Sequence, residues 1–514
     1  MDAGGCMNKI VVIPLDERPC NYDFNQLLVE DTDVQVVVPP RSIMGDKKLV
    51  GSVEEIWDFL ESHIAEADGA IISIDTLLYS GIIPSRLHHY SIETLVNQLN
   101  RLKTIKEKYP HLKLFAYNLI MRNPSYSSSE EEPDYYEDWG REIHRYGVIN
   151  HKKELGIATE EELSELSDIH ARLPKEYLDD YLKRREVNLA VNKHFLTLVQ
   201  EGYIDFAIIP QDDSSPYGLT AKDQQIILEE INRLDINTKV YMYPGADEVT
   251  NTLLARMINE KHGKRPLVYV KYTSFSGGSI IPLYEDRPVH ETIKYQILAA
   301  GGLVTSSVHE ADLVLIVNVP PSGMIEAPNQ NVRLIEYDSF RNLIEAVEFA
   351  EYVIDELNKP VIIGDIAYAN GGDLQLIRLL RQKGLFYKLA GYAGWNTSSN
   401  TLGTCIPQGM IFYHYGNRKG HLDFLALRYV EDAGYCAHVR GYVTQHVLPE
   451  LRLDYFNVDG KRGKVADLVK QQLQQFADEI IVDDTYRIVV KDSYMPWRRM
   501  FEVGLAVEVV KKGD

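Results

Sequence analysis

The feature that most constrains this chain is a rhythm. Short apolar runs rich in β-branched residues alternate with longer segments of helical period. Parallel strands need a crossover long enough to hold a helix, so this alternation makes βαβ units and a parallel sheet. In the first half the runs are Lys9–Leu15, Val34–Val38, Gly69–Ile74, Lys113–Met121, Phe206–Ile209 and Lys239–Tyr243. Between them Ser52–Ala65 and Ser91–Lys108 read as amphipathic helices, with Ser52 as an N-cap.

Each run delivers polar residues just past its carboxyl end: Asp16, Glu17 and Arg18; Asp75; Arg122; Asp212 and Asp213; Asp247 and Glu248. Carboxyl ends of parallel strands are where α/β proteins bind ligands, and loop acidity at random would not fall so regularly there. Six strands favour a (β/α) barrel-like domain over residues 7–264, with an open sheet as the alternative. The stretch from Ile208 to Gly218 is the clearest case. Pro210 is expected to end ladder pairing, and Thr220 to cap a helix starting near Ala221. Asp and Ser also favour turns whatever the function.

Residues 125–200 break the rhythm. Ser127 to Pro133 is polar and reads as mobile, and charged helices follow from about Thr159 to Gln200. A helical insertion over the mouth of the sheet fits this pattern, acting as a lid or as a homo-oligomer contact. From Arg265 a second alternation begins, with strands Leu267–Val270, Leu303–Ser306, Leu313–Val317, Val361–Ile366 and Leu389–Tyr392, and a helix from about Ser339 to Asn358. Five strands so spaced suggest a flavodoxin-like or Rossmann-like α/β domain over residues 265–412. Residues 413–514 read as a C-terminal helical and mixed subdomain.

Composition narrows the function. With 54 Lys and Arg against 75 Asp and Glu the formal charge is −21, which disfavours nucleic acid and anionic membranes as partners. No apolar run approaches the roughly 20 residues of a membrane helix. The four cysteines are scattered without CxxC or zinc spacing. Met1 to Cys6 lacks the hydrophobic region of a lipoprotein signal and reads as a leader ahead of Met7. The expectation is a cytoplasmic enzyme or binding protein.

Glycine-rich turns at Ser276–Ser279 and Asn370–Asp373 could offer backbone amides to an anion, yet neither is GxGxxG or a Walker sequence, so no nucleotide cofactor is expected. No histidine cluster supports a transition-metal site, and no metal or cofactor is assigned. What the chain supplies is carboxylates, amides and aromatics, the tools of sugar hydrolysis. Asp212, Asp213, Asp247 and Glu248 are the catalytic candidates. Asp16, Glu17, Arg18, Asp75, Arg122, Asn370, Asp373, Trp395 and Asn396 are the substrate-binding candidates. The Asp212-Asp213 pair at a strand end resembles that of substrate-assisted N-acetylhexosaminidases. In that scheme Asp212 polarises the acetamide, Asp213 is the general acid, Trp395 stacks on a sugar face and Asn396 binds its hydroxyls.

The motifs Ile13-Pro14-Leu15-Asp16-Glu17-Arg18-Pro19, Pro210-Gln211-Asp212-Asp213, Pro244-Gly245-Ala246-Asp247-Glu248, Tyr368-Ala369-Asn370-Gly371-Gly372-Asp373 and Ala393-Gly394-Trp395-Asn396-Thr397 together resemble the bacterial family known as domain of unknown function 4127. The resemblance implies a bacterial, single-polypeptide origin and brings no activity with it. The leading expectation is therefore an intracellular glycoside hydrolase acting on a small carbohydrate. The alternatives are a metal-dependent hydrolase or lyase using Asp16, Asp212, Asp247 and Asp365, and a non-catalytic sugar-binding protein.

Overall fold

The computed structural model describes residues 9–212, 214–332 and 334–513. The chain divides into two compact units. The first comprises the chain up to Glu17 with Val36–Thr250 and Tyr284–Asp286; the second comprises Arg18–Gln35, Asn251–Leu283 and the chain from Arg287 onward.

The first unit is built on β1 (Lys9–Ile13), β2 (Gln35–Val37), β3 (Gly69–Ser73), β4 (Lys113–Tyr117), β5 (Phe206–Gln211) and β6 (Val240–Pro244). Their order is β2-β1-β3-β4-β5-β6. The pairs β1–β3, β3–β4, β4–β5 and β5–β6 are all parallel. Every residue of β3 and β5 is buried, which is why these strands read as continuous apolar runs and not as alternations. The sheet ends at β2 and β6, which do not pair with each other among the described residues. It is thus an open sheet in place of the expected barrel. A parallel barrel closes with about eight strands, and after β6 the chain passes into the second unit within the helix Val249–Lys261.

Pro210 sits inside a ladder and not beyond its end, opposite Tyr243 of β6. Its backbone nevertheless faces the other way. The Ile208 carbonyl accepts from Asn118 on the β4 side, whereas Ala207 donates to Lys239 and Gln211 accepts from Gly245 on the β6 side. Alternation puts Pro210 with Ile208, and the β4–β5 ladder stops at Tyr117–Ile208, with one isolated parallel bridge beyond it between Ile120 and Gln211. The missing N–H falls in the gap between the end of that ladder and the bridge.

Ser52 caps its helix as expected, accepting from the Glu55 N–H, and Ser91 does the same for the Thr94 N–H. Thr220 does otherwise. The helix Leu219–Arg233 starts after Gly218, whose φ of 128° and ψ of −172° suit only glycine. The Thr220 hydroxyl instead donates to the Met121 carbonyl at 3.2 Å. The insertion is three helices, Tyr136–Glu154, Glu160–Arg172 and Lys175–Gln200, around an apolar cluster that includes Tyr136, Ile143, Ile149, Leu166 and Tyr181. A full capping box at Thr159 and Glu162 starts the second of them.

The second unit carries β7 (Leu267–Tyr272), β8 (Leu303–Thr305), β9 (Leu313–Asn318), β10 (Val361–Asp365) and β11 (Gly391–Ala393), ordered β8-β7-β9-β10-β11 and all parallel. The expected helix from Ser339 to Asn358 is two, Ile335–Ser339 and Leu343–Asp355, because Asn342 turns its side chain to accept from the Glu345 N–H and starts a new helix. The helix Ser398–Tyr415 lies close on the sheet. A Cβ on Gly409 would come within 2.2 Å of Ile362, and one on Gly391 within 2.6 Å of the Cys405 carbonyl. The C-terminal region holds a π-helical stretch Tyr429–Val439, the helix Lys464–Ile480 and an antiparallel pair, β12 (Tyr486–Tyr494) and β13 (Gly504–Lys511). Among the described residues no helix is long and apolar enough to cross a membrane.

Candidate functional site

In the first unit the carboxyl ends of β3, β4 and β5 meet around two arginines. Arg86 follows β3 in the turn Pro84–Arg86, and Arg122 follows β4. Arg86 Nη2 donates to Asp212 Oδ2 at 2.9 Å, and its Nη1 reaches Glu131 Oε2 and Glu132 Oε1, each at 3.3 Å. Arg122 Nε donates to the same Glu132 Oε1 at 2.7 Å, and its Nη2 to Glu131 Oε2 at 3.0 Å. Glu132 is 1% exposed, and its Oε2 is buried without a hydrogen-bond partner. The Ser127–Pro133 segment, expected to be mobile, is therefore fixed at Glu131 and Glu132, because two guanidiniums need the carboxylates.

Asp75 lies just past β3 in the short helix Ile74–Tyr79. Its Oδ2 accepts from the Leu119 N–H at 2.9 Å and from Asn118 Nδ2 at 3.3 Å. Burial pushes its carboxyl up to about 6, against the opposing pull of those hydrogen bonds and of the Arg86 charge. Asp16, past β1, is buried as well. Burial raises the Tyr117 hydroxyl, and the charges of Asp75 and Asp16 add to that rise.

The long third helix of the insertion holds these loops in place. Asn192 donates to Asn118 Oδ1 and to the Leu119 carbonyl, Asn188 to the Ser85 carbonyl, and Arg185 to the Arg122 carbonyl. Buried amides and guanidiniums satisfy loop carbonyls that strand pairing leaves free.

The structure thus links Arg122 and Asp212 through Arg86, Glu131 and Glu132, with Asp75 near enough to feel the Arg86 charge. Asp213 lies outside the described residues. Glu17 accepts from the Lys47 N–H at 3.3 Å. Asp247 is buried past β6, and Glu248 folds back so that its Oε2 accepts from the Ala246 N–H at 2.9 Å. Arg86, Glu131 and Glu132 were not singled out in the sequence. Their signal is weak, an arginine in a Pro-Ser-Arg turn and acids in a run that composition alone reads as solvated.

The remaining candidates belong to the second unit. Arg18 lies 3.6 Å from Glu502 and stacks over Trp497. Asn370, at φ 61°, donates to Glu326, and its N–H bonds the Asn396 carbonyl. Trp395 is enclosed: it packs edge-on against Phe24 and donates its indole N–H to Thr404. Asp373 accepts from Arg341 at 2.8 Å and from Asn318 at 3.0 Å. Asn318 also donates to Asp365, whose carboxyl is raised by burial and by the Asp373 charge. The Gly372 and Asp373 amides serve Asp432 and Asp365. That glycine turn is thus a close-packing device: a Cβ on Gly372 would sit 2.6 Å from the Tyr392 hydroxyl. The sequence also gave no notice of the buried Arg428, which pairs with Glu431 and Asp432 while Asp432 accepts from the Gly394 N–H.

Among the described residues no group of three or more His, Cys, Asp and Glu side chains is placed to hold a metal ion.

Two parallel sheets flanked by helices define a mixed α/β protein. The chain belongs to DUF4127, a family described as proteins of unknown function, whose model matches residues 10–506. No curated protein matches it.

Proposed function

We propose that the protein is a carbohydrate-active hydrolase, with its acid–base chemistry at the carboxyl ends of β3 and β5. One observation carries the reading: two carboxyl groups near one guanidinium sit in unlike environments. Asp212 is the ion-paired partner of Arg86, whereas Asp75, within reach of the same charge, is pushed by burial to about 6. Pairs of carboxyls whose environments drive them apart are how one site supplies both an acid and an anion near neutrality.

In this reading Asp75 holds the proton, and Asp212 stabilises developing positive charge or orients a substrate acetamide. The strand orders support reading both units as doubly wound sheets, the second flavodoxin-like in order. That is a matter of architecture and implies no activity.

The test is release of fluorophore from a panel of aryl glycosides, N-acetylhexosaminides included, by wild type and by Asp75→Asn, Asp212→Asn and Asp213→Asn. Turnover by the wild type that Asp75→Asn and Asp212→Asn each lower by about a hundredfold or more supports the assignment. Turnover that survives both substitutions removes this network from the chemistry, and no turnover on any member of the panel counts against the hydrolase.

A further inference from the structure

The second unit carries a cavity of about 560 Å³ whose wall includes Tyr337, Arg341, Asn342, Asp373, Gln375 and Arg378. That volume falls within the roughly 300–1,000 Å³ of small-molecule sites. Two helices begin at its wall, Leu343–Asp355 capped by Asn342 and Leu374–Gln382 capped by Asp373. In a parallel α/β unit helices start where strands end, so positive helix ends collect on that side of the sheet.

The wall is unequal in its hydrogen bonding. The two residues that cap those helices have their acceptors already used. Asp373 Oδ1 takes the Gln375 N–H, and its Oδ2 takes Arg341 and Asn318. Asn342 Oδ1 takes the Glu345 N–H. Donors remain. The Arg341 side chain is only 3% exposed. Its Nε and Nη1 are engaged by Tyr337, Asn318 and Asp373, but Nη2 makes no hydrogen bond among the described residues. Asn342 Nδ2 and the Arg378 guanidinium likewise have no hydrogen-bond partner among the described residues, and Arg378 lies at the exposed side. Asp338 also lines the wall, so the charge there is mixed.

We propose that this cavity binds the oxyanion group, phosphate or carboxylate, of a small molecule, held by Arg341 Nη2 and Arg378 between the two helix starts. A planar guanidinium with free N–H groups matches either oxyanion, and a buried one does so with little competition from water. The site is built from the second unit alone and does not depend on any activity of the first.

The test is calorimetric titration of the full chain with glucose 6-phosphate, glucuronate and glucose, repeated with Arg378→Gln. Arg341→Gln breaks the buried pair with Asp373 and is liable to unfold the unit, so exposed Arg378 is the informative position. The expected result is saturable binding of at least one anion, no binding of glucose, and affinity about tenfold weaker in Arg378→Gln. Binding of the phosphate alone identifies a phosphorylated ligand, and of glucuronate alone a carboxylate. Glucose binding as tight as its phosphate, anion binding unchanged in Arg378→Gln, or no heat with either anion up to about 10 mM overturns the proposal.

Discussion

Arg86 Nη2 and Asp212 Oδ2 lie 2.9 Å apart although 126 residues separate them in the chain. The pair joins the end of β3 to the end of β5, across β4, and the same guanidinium reaches Glu131 and Glu132 from the segment after β4. One side chain thus ties together three strand ends.

Removing that tie should be costly. Arg86→Met removes the shared partner of half-buried Asp212 and buried Glu132, which keeps Arg122, so the loss should lie at or below the low end of the about 3–5 kcal/mol of a fully broken buried pair. Arg86→Lys keeps the charge but cannot fork between three carboxylates, so it should fall between wild type and Arg86→Met. Urea unfolding followed by circular dichroism checks the order, which a wild-type-like midpoint for Arg86→Met would refute.

Asp75 makes a pH-dependent prediction whose sign is fixed. Its folded carboxyl stands at about 6, above the ordinary 3.8 of an aspartate, so the folded state binds the proton more tightly. Its ionisation therefore costs stability as pH rises from about 4 to about 6, and the cost stays constant above that. Asp75→Asn keeps an acceptor for the Leu119 N–H and removes the charge. It should be more stable than wild type at pH 7 by at most roughly 3 kcal/mol, with the difference vanishing near pH 4. Thermal melts at the two pH values read this directly.

The same group sets the pH dependence of the proposed hydrolysis. A proton donor titrating at about 6 is lost as pH rises, so kcat/KM should fall about tenfold per unit on the alkaline side. In Asp75→Asn any residual rate should lose that limb.

Gly245 has φ 139°, and a Cβ there would lie 1.8 Å from Glu248 Oε1. Gly245→Ala combines a forbidden backbone conformation with a clash against a fully buried carboxylate. A loss of about 2 kcal/mol or more is expected, measured by the denaturation midpoint.

Pro210→Ala should do little. The N–H it restores faces the side where β4 has ended, so the change should stay within about 1 kcal/mol. A large loss would show that the proline stiffens β5 in a way the ladder does not reveal.

The sequence by itself determined the elements. The apolar runs at β1, β3, β4 and β5, and their buried interiors, follow from local composition, because a strand covered on both faces must be apolar throughout. The same holds for the cap at Ser52, which needs only residues three apart. Membership of the family was legible too, in motifs spread from Ile13 to Thr397.

Tertiary structure decided what those elements do together. Whether six parallel strands close or stay open depends on pairing between the first and last, which no local pattern encodes. Glu132 reads as solvated in a run of serines and glutamates, and becomes buried only because Arg86 and Arg122 arrive from two other loops. Trp395 reads equally as a stacking platform or as a buried anchor after the last strand, and it is Phe24 and Thr404 that enclose it. Hydrophobic periodicity is a property of neighbours in sequence, whereas the charge state of a buried carboxyl is set by whatever the fold brings beside it.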